Sequence, residues 1–230
     1  MDFRTPIDMK LSGILLQVNT TTDIQLWDIL EKGGFLMVIL GLLSIVAFYI
    51  LIERTLTMNK ASKNQKQFLN HVKEMVVNGD LQGAKTFCAE TDTPTARMIE
   101  KGLSRVGHSL KDIEVAVENV GKIEVNKLSK NLSVMATISG AAPMLGFLGT
   151  VTGMIKAFIS IATQEGTVSP KDLAGGIYEA MITTAAGLAV GIIAYMAYNF
   201  LTAKLEKIIH NMEYSSVEFM DLLQEPHTNK

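Results

Sequence analysis

The chain has a single cysteine, Cys88, and few charged or aromatic residues for its length. One cysteine excludes an intrachain disulfide and a cysteine-based metal cluster. Charged residues make up 19% of the 230 positions and the formal net charge is -2, so no basic field indicates a nucleic-acid partner. The sequence also lacks a glycine-rich phosphate loop, zinc-ligand spacing and a catalytic triad pattern. It therefore predicts neither an enzyme nor a bound cofactor or metal.

Three long apolar runs take the place of these features. The first, from Gly34 to Ile52, has nineteen residues without a charge, about 28 Å as a helix and close to the thickness of a bilayer core. The second, 132–161, and the third, 173–201, are rich in the small residues that let membrane helices pack closely. We therefore predict an all-α integral membrane protein with three transmembrane helices.

The distribution of Lys and Arg predicts the orientation. Residues 53–131 carry thirteen of them and 162–172 carry only Lys171, which places the former in the cytoplasm. The predicted segments are an N-terminal extracytoplasmic amphipathic segment (1–32), transmembrane helix 1 (33–53), a cytoplasmic helical domain (54–131), transmembrane helix 2 (132–161), an extracytoplasmic link (162–172), transmembrane helix 3 (173–201) and a cytoplasmic helical tail (202–230).

Capping signals divide the predicted cytoplasmic domain into helices. Thr93 and Pro94 are typical of a cap and a first helical position, and Ser109 with Asp112 of a capping box. Beyond Asp112 an apolar stripe of helical period continues into the second span, so we predict one long helix there. A similar stripe predicts that the third span continues as a helix toward Pro226.

Two opposite charges interrupt the apolar runs. Glu179 is a lone carboxylate in the third span, where a charge costs roughly 2.5–3.5 kcal/mol at the bilayer centre. Lys156 lies in the second span at a similar distance from the outer membrane surface. One hypothesis is that the two pair, within one chain or between neighbours, which makes Lys156 an ion-pair or gating residue. The alternative is that Lys156 extends to the outer surface.

Other residues of these two spans have the chemistry for packing or for a polar path. Thr150 and Thr184 each lie about 16 Å from the outer end of their spans, at matched depth near mid-membrane. A hydroxyl can donate and accept hydrogen bonds. The predicted helix-packing residues are Pro143, Gly146, Gly149, Gly153, Gly187 and Gly191.

Two motifs in this region carry a family resemblance. They are ATISGAAPMLGFLGTVTGMIKAF at 136–158 and GGIYEAMITTAAGL at 175–188. In this order they closely resemble the MotA/TolQ/ExbB family of proton-driven motor proteins. The resemblance to the ExbB branch also covers 78–103, NGDLQGAKTFCAETDTPTARMIEKGL. Three spans favour ExbB or TolQ over MotA.

The resemblance implies an assembly and site residues. Members of the family form a ring of five chains around two copies of a single-span partner, ExbD or TolR, whose membrane aspartate carries the proton. Thr150 and Thr184 match the family's pore-facing threonines, Glu179 its membrane carboxylate and Pro143 its proline in span two. The implied ion-path residues are therefore Thr150, Thr184 and Glu179.

The implied function is that of an ExbB-like motor subunit in the bacterial inner membrane, with a periplasmic N-terminus and 162–172 link and a cytoplasmic C-terminus. It is driven by the proton-motive force and energises TonB-dependent transport across the outer membrane. The expected partners are further copies of the chain, an ExbD-like protein, a TonB-like protein and membrane lipid, without nucleic acid. A TolQ-like role in the Tol-Pal envelope-maintenance system and a passive scaffold are the alternatives, and both H⁺ and Na⁺ fit a path lined by hydroxyls.

Overall fold

The structure is a computed structural model that describes residues 34–62, 65–163 and 170–224. Within these residues the fold is helical, as predicted, and the only strand-like pairing in this part of the chain is an isolated bridge between Val106 and His108. The helices are α1 (Gly34–Ala61), α2 (Gln65–Val77), α3 (Leu81–Glu90), α4 (Pro94–Leu103), α5 (Leu110–Leu128), α6 (Leu132–Thr163) and α7 (Pro170–Gln224). The predicted N-terminal amphipathic segment and most of the 162–172 link lie outside the described residues.

Three helices are long and apolar enough to cross a membrane. The most apolar 18-residue windows of α1, of the run Leu110–Thr163 and of Leu173–Gln224 have mean hydropathies of 2.9, 1.6 and 1.8. Only 22%, 22% and 33% of these windows are buried within the chain. A water-soluble monomer rarely exposes contiguous apolar surface on this scale. The faces of these helices therefore need lipid or other chains to cover them.

The longest helix continues far beyond a bilayer's thickness. α7 runs for 55 residues without a break, about 80 Å at the usual rise per residue. Its second half buries Leu201, Leu205, Ile208 and Met212 at helical spacing. The prediction that the third span continues as a helix toward Pro226 is confirmed up to Gln224.

The prediction of a single helix from the Ser109 cap into the second span is wrong. α5 ends at Leu128 and α6 begins at Leu132, and between them Asn131 has a left-handed φ of 65°. The guanidinium of Arg54, which is 6% exposed, donates to the carbonyl of Lys127 at 2.9 Å and so satisfies the end of α5. Asn tolerates the left-handed conformation better than most residues, which allows the turn.

The cap predictions for the shorter helices are confirmed. The Thr93 hydroxyl accepts from the backbone N–H of Ala96, and Pro94 is the first residue of α4. The Ser109 hydroxyl accepts from the backbone N–H of Asp112 at the start of α5. α2 packs against α3, α3 against α4, and α4 against α5.

The described residues fall into two compact groups. The first takes in the residues up to Gly41 and those from Met144 to Gly187; the second takes in Leu42–Pro143 and the residues from Leu188 onward. The second group has a continuous hydrophobic core. Its fully buried large side chains include Met58, Val72, Ile99, Met135, Leu201 and Phe219.

A buried carboxylate lies inside this second group. Glu124 is 3% exposed and accepts hydrogen bonds from Arg97 at 2.6 Å and from Lys127 at 2.7 Å. Burial acts to raise the pKa of Glu124, but these two cations outweigh burial and hold the pKa below its ordinary value of 4.5. Arg97 also bonds Asp92 at 2.6 Å, so α4 and α5 are joined by a network of charges.

Candidate ion path between two small-residue helices

The candidate site lies in the first group of residues, where α6 and α7 run side by side. A Cβ placed on Gly146 would lie 3.1 Å from the Cα of Thr184 and 3.2 Å from the Cα of Gly187. A Cβ placed on Gly153 would lie 2.9 Å from the Cβ of Ala180. These backbones therefore approach too closely for larger side chains, which is how small residues pack membrane helices.

Further glycines extend this close approach. A Cβ on Gly149 would collide with the side chain of Thr183. In the second group of residues, a Cβ on Gly191 would lie 2.5 Å from Cγ of Pro143. Each predicted packing residue thus lies against the facing helix.

The sequence interpretation missed Gly176 and Ala180 as packing residues. A Cβ on Gly176 would lie 2.9 Å from the Cβ of Ala157. Gly176, Ala180 and Thr184 follow each other at four-residue spacing on α7. This small-residue spacing was the signal that could have identified them.

The two candidate path threonines lie at neighbouring levels of this contact. The Thr184 hydroxyl donates across the helices to the carbonyl of Gly146 at 2.8 Å. Thr150 lies four residues after Gly146 on α6, about 6 Å along the axis, so the predicted matched depth is offset by one turn. The Thr150 hydroxyl donates to the carbonyl of Phe147 within its own helix at 2.6 Å. Both side chains are half-buried.

Thr183 has a different environment from Thr184. It is 1% exposed, and its hydroxyl donates to the backbone carbonyl of Glu179 at 2.8 Å. Its methyl group fills the space that Gly149 leaves open. Thr183 is therefore a packing residue between α6 and α7.

Lys156 and Glu179 approach each other within the chain. The Lys156 ammonium donates to Oε1 of Glu179 at 2.8 Å, which is the intrachain form of the pairing hypothesis. The Lys156 side chain is 62% exposed and that of Glu179 is 27% exposed. The pair lies near the start of α7, nine residues after Pro170, and seven residues before the end of α6 at Thr163.

A third element reaches the same carboxylate. Gly34, the first residue of α1, has a φ of 65°, and a Cβ placed on it would lie 2.7 Å from Oε1 of Glu179. Glycine is the residue that adopts this backbone conformation at little cost and also leaves room for the carboxylate. Sequence analysis gave Gly34 no role beyond the start of the first span.

The arrangement has polar groups but no centre for metal chemistry. Among the residues that the structure describes, no three His, Cys, Asp or Glu side chains are grouped to hold a metal ion. The polar groups at this contact of α6 and α7 include the hydroxyls of Thr150, Thr183 and Thr184 and the Lys156–Glu179 pair. Hydroxyls and a charge pair of this kind can interact with a proton or a small cation.

Long apolar helices packed through small residues are typical of helical membrane proteins, and ionisable residues within such helices are candidates for an ion pathway. A profile of the MotA/TolQ/ExbB proton channel family matches residues 90–214, which is more than half of the chain. The chain belongs to this family.

Curated relatives come from both the ExbB and TolQ branches. The biopolymer transport protein ExbB homolog of Methanothermobacter thermautotrophicus is 28% identical over 81% of this chain, and the chain covers 66% of that relative, just under two thirds. Biopolymer transport protein ExbB of Neisseria meningitidis is 27% identical over 76% of this chain and 87% of the relative. Tol-Pal system protein TolQ of Haemophilus influenzae is 26% identical over 88% of this chain and 95% of the relative.

Proposed function

We propose that this chain is an ExbB-like subunit of a proton-driven motor in the bacterial inner membrane, which energises TonB-dependent transport across the outer membrane. The observation that carries the proposal is the Thr184 hydroxyl where α6 and α7 approach closely, one turn from Thr150. Hydroxyls of this kind can accompany a proton through a layer that excludes water. The proposed path consists of Thr150 and Thr184, and Glu179, the carboxylate that the family motif carries, lies five residues before Thr184 on α7.

The exposed apolar helices support an assembled state. Phe35, Ile45, Phe147 and Met181 are each at least 66% exposed on the single chain. We propose that a ring of about five copies, with an ExbD-like single-span partner and lipid, covers these faces. A TonB-like protein would then transmit the work.

The proposed orientation follows the charges. The thirteen Lys and Arg residues of 53–131 favour a cytoplasmic location for this segment and for the tail from 202. The N-terminus and the 162–172 link are then periplasmic. The segment boundaries predicted from the sequence remain part of this proposal.

The membrane potential offsets part of the cost of such a path. Moving one charge across 100 mV yields about 2.3 kcal/mol. Placing a charge at the bilayer centre costs roughly 2.5–3.5 kcal/mol on insertion scales. A proton at mid-membrane has crossed about half of the potential, so about 150 mV supplies about 1.7 kcal/mol there, and polar groups along the path must supply the rest.

The test of the path removes each hydroxyl in turn. We expect Thr150→Ala and Thr184→Ala each to lower proton flux by about tenfold or more in proteoliposomes that also contain the partner. The reason is that each variant loses a hydrogen bond of about 1.4 kcal/mol that lowers the energy barrier for the proton. The size of the oligomer, measured by native mass spectrometry, should not change. Thr184→Ser keeps the hydroxyl and should retain most of the flux.

A matched control lies two residues from Thr150. Thr152 is on the same helix and donates to the carbonyl of Leu148 at 3.0 Å, so Thr152→Ala removes a comparable hydroxyl outside the proposed path. Unchanged flux in Thr150→Ala and Thr184→Ala would support the passive scaffold instead. Loss of flux in Thr152→Ala to the same degree would show a general packing effect and contradict the path.

A TolQ-like role is the second candidate. The alignment with the Haemophilus influenzae TolQ covers more of this chain than the alignments with the two ExbB relatives described above. Expression in strains lacking either ExbB or TolQ separates the two: restored TonB-dependent uptake supports the first, and restored envelope integrity supports the second. Co-purification of a single-span membrane protein bearing an aspartate would support both.

A further inference from the structure

The three apolar helices meet at one carboxylate in the first group of residues. Oε1 of Glu179 on α7 accepts a hydrogen bond from the Lys156 ammonium on α6 at 2.8 Å. The same oxygen would lie 2.7 Å from a Cβ on Gly34, so the carboxylate lies close to the first residue of α1. Lys156, Glu179 and Gly34 are here called the three-helix contact.

Two positively charged features lie beside the carboxylate. The Lys156 ammonium on α6 is the opposite charge and is in hydrogen-bond contact with Oε1 of Glu179. The amino end of a helix carries partial positive charge, and α1 begins at Gly34, close to the same oxygen. The carboxylate therefore lies where a positive group from α6 and the positive end of α1 come together.

The geometry at Gly34 is itself restrictive. The φ of 65° is unfavourable for residues with a Cβ. The carboxylate occupies the position that a side chain would take. Glycine adopts the positive φ at little cost, whereas the atom near an added Cβ is the movable end of the Glu179 side chain, so a side chain at position 34 would displace this carboxylate.

We propose that this three-helix contact fixes the ends of α1, α6 and α7 to one another and that Glu179 is a positioning residue, not a group that carries the ion. The contact holds α6 and α7 in the register that places the Thr184 hydroxyl on the carbonyl of Gly146, ten residues from Lys156 on α6. This inference rests on the proposed function for its effect on flux. The contact itself is independent of that function and can be tested without it.

The first test is a double-mutant cycle on the full-length protein in detergent. Lys156→Met and Glu179→Gln should each lower the melting temperature by about 2–4 °C, and the double variant should fall by clearly less than the sum. Lys156→Arg keeps the charge and should restore most of the loss. Additive effects, or an effect of Lys156→Met that Lys156→Arg does not rescue, would overturn the ion pair.

The second test separates the end of α1 from the pair. The exchange Lys156→Glu with Glu179→Lys restores opposite charges but places a cation at the amino end of α1. We expect it to recover only part of the lost melting temperature, because that helix end favours an anion. Complete recovery would overturn the part of the proposal that includes α1.

Gly34→Ala tests the close approach directly. Its matched control is Gly79→Ala, since Gly79 also has a positive φ, of 80°, but nothing within 4 Å of a Cβ. Gly34→Ala should lower the melting temperature more than Gly79→Ala, and the excess should disappear when Glu179 is replaced by Ala. An equal effect at the two glycines would remove Gly34 from the contact.

Flux measurements decide between positioning and carrying. We expect Lys156→Met and Glu179→Gln to reduce flux in proteoliposomes to a similar degree, with recovery in Lys156→Arg. If Glu179→Gln abolishes flux while Lys156→Met leaves both flux and melting temperature unchanged, Glu179 carries the ion and the proposal is wrong. Failure of the proposed function itself would appear differently, as unaltered flux in Thr150→Ala and Thr184→Ala.

Discussion

The one thiol of the chain is enclosed by its neighbours. Cys88 on α3 has no exposed surface, and this burial, with a smaller contribution from the charge of Glu100, raises the pKa of the thiol to about 12. Reactive cysteines need an accessible thiolate. Cys88 therefore belongs to the hydrophobic core of the second group of residues and has no chemistry to perform.

We expect Cys88 to resist alkylation by N-ethylmaleimide at pH 8 in the folded protein and to react fully once the protein is denatured. The reason is that neither thiolate nor solvent access is present at this position. Mass spectrometry of the intact chain measures the extent of modification. The control is Cys88→Ser with Ser104→Cys, which places the thiol on an exposed turn and should react within minutes. Rapid modification of Cys88 itself would contradict the buried core at α3.

Glu124 is the residue whose charge matters most outside the apolar helices. We expect Glu124→Gln to destabilise the packing of α4 on α5 by about 1–2 kcal/mol, less than a fully buried pair because Arg97 is 37% exposed. Amide hydrogen exchange in peptides of α4 and α5 measures the loss. Lys122→Gln serves as the control, since its partner Glu118 is exposed at the surface. Equal exchange in both variants would contradict a structural role for Glu124.

The same carboxylate predicts how stability depends on pH. The pKa of Glu124 is lowered in the folded chain, so its stabilising contribution is complete above the ordinary value of 4.5 and is lost as the pH falls through the lower, folded value. The protection factors of amides in α4 and α5, which correct for the fall of the intrinsic exchange rate with pH, should therefore decrease on acidification below about pH 4.5 in the wild type. The difference between the wild type and Glu124→Gln should shrink over that range. A difference that grows toward acid would reverse the assigned sign.

At the scale of helices, the contact of α6 with α7 depends on the absence of side chains. Gly149→Ala would force a methyl group into Thr183, which is buried and branched at Cβ. We expect a loss of about 1–3 kcal/mol, as for other overpacked sites. Gly140→Ala on the same helix meets nothing within 4 Å and should gain a few tenths to about 1 kcal/mol from helix propensity. Thermal unfolding in detergent compares the two, and an equal response at both glycines would contradict the close contact.

Local signals along the chain predicted most of these helices. The first span is recognised from the hydropathy of Gly34 to Ile52. The caps at Thr93 and Ser109 are recognised from residues within one helical turn. Both signals are local, so they can be read directly from the sequence. The break before Leu132 depends on Arg54, which is 73 residues from the carbonyl that it binds. The apolar period continues across that break, so the pattern alone indicated a continuous helix.

The candidate site was predictable in part for the same reason. The family motifs contain Thr150, Thr184 and Glu179, and antiparallel spans place Lys156 opposite Glu179 by counting residues. The approach of Gly34 could not be read in this way. The approach depends on the position of the start of α1 relative to α7. Gly34 and Glu179 are more than 140 residues apart in the sequence, so no local pattern reports this position.

At the scale of the whole molecule, the single chain exposes more contiguous apolar surface than a water-soluble monomer usually does. We expect the protein to require detergent for extraction and to migrate as a complex of several copies. Five copies of a 25.1 kDa chain give about 125 kDa, which native mass spectrometry can distinguish from other multiples. Recovery of a monodisperse monomer without detergent would contradict both the membrane location and the assembly.

The direction of two hydrogen bonds has a consequence for what can pass between these helices. The Thr184 hydroxyl donates its single hydrogen bond to the carbonyl of Gly146, and the Thr150 hydroxyl donates its own to the carbonyl of Phe147. Each hydroxyl oxygen can therefore act only as a hydrogen-bond acceptor toward a passing ion or group. A cation, or an acid that still holds its hydrogen, finds acceptors at both levels, whereas a bare anion meets repulsion at each. On the proposed function, the two backbone carbonyls therefore favour the passage of cations and protonated groups over anions, because they fix the orientation of both hydroxyls.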